Sequence, residues 1–207
     1  MQTAKFLENL VNAKPTPFLF GALGWAIAWQ LQLLLQQLIP ALSYELGVAL
    51  IFLPAGIRTL AVLVFGFRGA VGVFCGCIFS TMSYMGHLPA LDASILLVIC
   101  VISAFSAYLM MQLVCWWRKI GSDLEELRFS DVLLIVFSQG LLSASLHQLV
   151  FSRMHLEGTY SNPSIWDTFR LWAAMATGDI IGSMVFMLSG IALANMATSL
   201  LRASRQD

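Results

Sequence analysis

The chain has 207 residues, 59% hydrophobic and 11% charged, with eleven Lys and Arg balanced by eleven Asp and Glu. A soluble domain carries about 25% charged residues, so this composition excludes an ordinary water-soluble domain and points to an integral membrane protein. Zero net charge and no dense basic tract speak against nucleic acid as a partner.

Residues 1–16 read as an N-terminal cytoplasmic segment, 17–201 as a single membrane domain and 202–207 as a tail, with no second domain. The first predicted span is Phe18–Leu38. Lys5 and Lys14 precede it, and Ala26-Ile27-Ala28 mimics a cleavage site. The apolar run continues through LQLLLQQL, past an ordinary signal-peptide core, so the span is read as uncleaved. Gln30 and Gln32 stand mid-span on different faces, one suited to the core and the other to a partner chain.

The second predicted span, Gly47–Phe67, carries Arg58 about 16 Å from its start. A charge at that depth costs at least ~2.5–3.5 kcal/mol unless it is paired or hydrated. Arg58 is therefore expected to face the protein interior. Pro54 lacks an N–H and clashes with the preceding turn, and Gly56 lowers helix preference further. A kinked or broken second span is expected at LPAGIR, the kind of break that lines binding sites in transporters.

The third predicted span, Ala70–Met85, is short and begins in GFRGAVGVFCG. Gly66, Gly69, Gly72 and Gly76 mark a helix-packing face there, and Gly178 with Gly182 marks another. Internal packing is the first expectation for these G-x-x-x-G pairs, with a homodimer as the alternative. Cys75 and Cys77 lie without His or acidic neighbours, so they read as apolar packing rather than a metal site.

Ala93–Trp117 and Val132–Phe151 are the fourth and fifth spans. The latter holds Ser138 and Gln139, suited to hydrogen bonds across helices, and His147 near its outer end. His147 is either a proton-sensing group or a solvated interfacial side chain. The last apolar region, Leu171–Leu201, is too long for one upright span, about 46 Å as a helix. It must tilt, kink at Gly178 or begin as an interfacial helix. It contains Asp179, the lone carboxylate of the six spans and the expected partner of Arg58.

The fold class is thus all-α, a polytopic membrane bundle of about six transmembrane helices. With a cytoplasmic N-terminus, eight cations fall on the inner side and Arg153 and Arg170 on the outer, which puts both termini in the cytoplasm.

FLPAGIRTLAVLVFGFRGAVGVFCG resembles the membrane-associated sensor domains of the first MASE type, and GDIIGSMVFMLSG is similar to their late Asp-x-x-Gly element. The resemblance implies a sensory module of the bacterial inner membrane. Its motif residues correspond to Pro54, Gly56, Gly66, Gly69, Asp179 and Gly182. Such domains usually have about eight spans and precede a cyclase, phosphodiesterase or kinase. Here six are counted and no output domain follows, so the expected form is a stand-alone, shortened module acting through a partner.

The functional expectation is a sensory or signalling membrane protein, not an enzyme, binding a small ligand or a partner protein near Arg58, Asp179, Pro54, Gly56, Gln139 and His147. No metal or cofactor is expected. The expected partners are the lipid bilayer and a cyclase, kinase or transporter subunit. The alternatives are a substrate-binding subunit of an energy-coupling-factor transporter and a structural accessory subunit.

Overall fold

The computed structural model describes residues 13–45, 48–85, 93–121, 124, 126–156 and 164–203. Most of the N-terminal segment, the connection at 86–92 and the last residues of the tail lie outside the described residues. Apart from one β hairpin the described residues are mainly helical, with α1 (Thr16–Leu38), β1 (Ser43–Glu45), β2 (Val48–Ala49), α2 (Leu53–Met85), α3 (Ala93–Arg118), α4 (Phe129–Leu156) and α5 (Ile165–Ala203). These 5 helices are each long and apolar enough to cross a membrane.

A short 3₁₀ turn, Pro40–Leu42, ends α1 and leads into the antiparallel pair β1–β2, in which Ser43 faces Ala49. Val48 and Ala49 are buried, and the chain stays non-helical through Phe52. Helix α2 then starts at Leu53, so Pro54 falls in its first turn. A missing N–H there removes no helical hydrogen bond. Pro54 and Gly56 therefore stand at a helix entrance, not at an interior kink.

The non-helical residue inside α2 is Gly66, with φ 56° and ψ −134°. Residues with a side chain avoid that conformation. The chain folds back there. A Cβ on Gly69 would lie 2.0 Å from the Ala61 carbonyl oxygen, whereas eight residues of straight helix separate two atoms by about 12 Å. Val62 and Ala70 accordingly share one core cluster, and Ala61 and Val73 another.

The glycines of the second arm are used inside the protein. A Cβ on Gly72 would sit 2.6 Å from the Phe18 carbonyl oxygen, and one on Gly76 2.5 Å from that of Ala22. Their missing side chains let α1 lie directly on this arm.

At the other end of the chain, α5 is one helix of 39 residues. Ser164 Oγ accepts the Asp167 N–H at 3.2 Å, and Asp167 Oδ2 accepts the Ser164 N–H at 3.2 Å. This reciprocal cap fixes the helix start at Ile165, earlier than the expected Leu171. The helix runs through Gly178 without a break, and its apolar span is Ile165–Gly190. Asp179 is thus about 21 Å from the helix start, deep within that span.

Candidate functional site: a buried charged centre among four helices

The first two turns of α2 are buried on every face. Residues 54–59 are all buried, including Arg58 and Thr59. A helix apolar all round belongs in a core, and its two polar residues must find partners there. Each neighbouring helix supplies some.

Arg58 is 1% exposed. Its Nη2 donates to Asp179 Oδ2 at 2.9 Å, joining α2 to α5. Its Nη1 donates to the Ser103 carbonyl of α3 at 3.1 Å and to Ser143 Oγ of α4 at 3.3 Å. One guanidinium therefore ties three other helices to α2. Its fork of fixed donors suits that task better than the single point charge of a lysine. The pair is neutral as a whole, which reduces the cost of holding a cation inside an apolar bundle.

His147 completes this side. Its Nδ1 lies 2.8 Å from the Ser143 carbonyl, which can only accept, so Nδ1 carries the proton. In the neutral ring Nε2 then accepts from Ser103 Oγ at 3.3 Å. His147 is buried, not solvated. It supports the groups that hold Arg58, because Ser103 and Ser143 contact both side chains.

A second, neutral set lies beside the first. Thr59 Oγ1 is 3.2 Å from Ser183 Oγ, and Gln139 Nε2 donates to Ser183 Oγ at 3.0 Å and also to Thr59 Oγ1. Residues Gln139, Ser143 and His147 recur every four positions and so form one stripe on α4. Asp179 and Ser183 repeat that spacing on α5. Among the described residues, two buried polar atoms of this centre have no hydrogen-bond partner, Arg58 Nε and Gln139 Oε1.

The site is held from outside by the non-helical segment ahead of α2. Phe52 donates its N–H to the Gly178 carbonyl at 3.0 Å, and Leu53 donates its N–H to Gln32 Oε1 at 2.9 Å. A Cβ on Gly178 would fall 2.0 Å from the Ala49 carbonyl oxygen, and one on Gly182 1.9 Å from that of Phe52. The Phe52 ring lies edge-on to Trp25 and Trp29, with centroids 6.1 and 6.2 Å away. The Gly178/Gly182 face thus receives a non-helical chain segment, not another helix.

Of the residues singled out in the sequence, Arg58, Asp179, Gln139 and His147 meet in this centre. Pro54 starts its helix, and Gly56 lets Phe186 of α5 approach, since a Cβ there would be 2.4 Å from that side chain. Gly66, Gly69, Gly72 and Gly76 lie away from the centre, in the α2 turn and on the α1 contact. Thr59, Ser103, Ser143 and Ser183 are members that the sequence reading passes over. Comparison with family models, curated proteins and solved structures returns no match to this chain.

Proposed function

We propose that this chain is a sensory or signalling module of the bacterial inner membrane, in which the Arg58–Asp179 pair is the element that an input makes or breaks. The observation that carries this reading is the ion pair itself. It is a neutral latch between α2 and α5 whose cation also grips α3 and α4. Losing either partner strands a charge in an apolar core, so the bundle must repack. That gives the two discrete arrangements a switch needs. The Asp179 side chain keeps 9% exposure against 1% for Arg58, so a small ligand or a partner protein would approach from the α5 side.

The likeness to membrane-associated sensor domains of the first MASE type supports the reading. The two stretches that carry it pack on one another, Asp179 on Arg58 and Gly178 and Gly182 on residues 49–52. The output would pass to a cyclase, a kinase or another membrane partner.

We read the chain as crossing the bilayer six times. The first arm of α2 rises roughly 19 Å, and the non-helical residues 48–52 before it make up the rest of the span. That crosses the hydrocarbon once as a broken span, and the arm after Gly66 returns. Both termini are then cytoplasmic by the positive-inside bias. The transporter-subunit alternative has weaker support, because Gly72 and Gly76 are occupied by α1 and leave no small-residue face there for a coupling subunit.

Hydrogen exchange in lipid nanodiscs tests the switch. Asp179→Asn should speed exchange at the far end of the bundle, around the Arg118–Asp131 ion pair that joins α3 to α4. Changes confined to residues 48–59 and 176–183 would reduce the pair to a local structural contact and overturn the reading.

A further inference from the structure

A cleft of about 800 Å³ opens at the end of the bundle where the Gly66 turn, the start of α1 and the end of α3 come together. It is separate from the charged centre and shares no residue with it. Its volume falls within the ~300–1,000 Å³ typical of small-molecule sites. The lining is amphipathic. Leu63, Met111, Ile120 and Leu124 supply an apolar wall, and Arg68, Tyr108 and Gln112 supply polar groups. Among the described residues, no carboxylate lines it.

Three features identify the occupant. Arg68 is exposed and makes no ion pair among the described residues. It stands in the first turn of the second arm of α2, where the helix dipole adds to the positive potential. Among the described residues the same end of the bundle carries Lys14, Arg118, Lys119 and Arg128 against Glu126 and Asp131, with Arg118 held by Asp131, so cations are in excess there. Trp116 stands at the rim, 77% exposed, the kind of ring that anchors at the headgroup level.

From the cleft, its charge and its level in the bundle, we infer that it is a binding site for an anionic membrane phospholipid. The phosphate lies at Arg68, with Tyr108 and Gln112 within the same cleft, and an acyl chain follows the wall of Leu63 and Met111. Basic pockets between helices at a membrane surface hold lipid headgroups in this way. Because residues 63–68 form one wall, an occupied cleft braces the turn between the two arms of α2. The inference requires a membrane-spanning chain but not the sensory role.

Native mass spectrometry of the full chain, released from nanodiscs of mixed phosphatidylglycerol and phosphatidylcholine, tests it. Phosphatidylglycerol should be retained at least about tenfold better than phosphatidylcholine, the size of one charge-assisted hydrogen bond. Arg68→Gln should abolish the preference and Arg68→Lys should keep most of it. Gln112→Trp, which fills the cleft from an exposed position on α3, should lower retention of both lipids. Equal retention of the two lipids, or an unchanged preference in a folded Arg68→Gln protein, would overturn the site. Displacement of the lipid by millimolar inorganic phosphate would assign the cleft to a soluble anion instead and would likewise overturn it.

Discussion

The side chain of Gln32 caps α2, its Oε1 accepting the Leu53 N–H at 2.9 Å from 21 positions earlier in the chain. A helix that begins inside an apolar bundle has no water for its first N–H groups, so a polar residue in mid-α1 takes that place. Gln32→Leu fits the space and removes the buried, unpartnered Nε2 of Gln32, but it leaves the Leu53 N–H at the helix start without its acceptor. The net cost should be about 1 kcal/mol, read as a lower midpoint when the purified protein is unfolded by SDS in mixed micelles. An unchanged midpoint would show that this helix start is satisfied in another way.

Three glycine substitutions separate steric from conformational demands. Gly182→Ala drives a methyl into the Phe52 carbonyl, 1.9 Å away. Neither backbone can yield without opening the α5 contact, so the loss should reach or exceed about 1–3 kcal/mol. Gly66→Ala meets nothing within 4 Å, but its φ of 56° is hostile to a side chain. It should cost about 1–3 kcal/mol through the backbone alone. Gly190→Ala meets neither obstacle and should stabilise α5 slightly. The same unfolding assay ranks all three.

Gln139 is a cheaper member of the polar centre than its burial suggests. Its Oε1 has no protein partner, and Thr59 and Ser183 lie 3.2 Å apart, close enough to bond one another without it. Gln139→Leu removes a buried unpaired acceptor along with two hydrogen bonds. These effects oppose, so stability should change by less than about 1 kcal/mol. His147→Leu loses the hydrogen bonds to the Ser103 hydroxyl and the Ser143 carbonyl and removes no unpaired atom in return, so it should cost more, about 1–3 kcal/mol. Reversal of that order would contradict the arrangement described for α4.

The charged centre is largely legible in the sequence, for an energetic reason. An arginine and an aspartate alone in apolar runs have few places to go, so Arg58 and Asp179 announce each other. The Gln139–Ser143–His147 and Asp179–Ser183 stripes are also readable, as polar residues four apart. Thr59 and Ser103 are not, because a single hydroxyl in an apolar helix satisfies itself on its own backbone as readily as on a neighbour. The start of α5 is legible as the Ser-x-x-Asp cap at Ser164 and Asp167, although the apolar composition draws attention to Leu171. The start of α2 is the least accessible. Residues 48–52 are as apolar as the helix that follows, and their non-helical path depends on Gly178, Gly182 and Gln32, all distant in sequence.

The central claim is that Arg58 is held inside the bundle by Asp179, and a double-mutant cycle in mixed micelles tests it most directly. Arg58→Met and Asp179→Leu should each cost about 3–5 kcal/mol, because each leaves a buried charge alone. The double variant should be far less destabilised than the sum, and by less than at least one single variant. Strictly additive losses would mean that the two side chains do not interact, contradicting both the ion pair and the switch built on it.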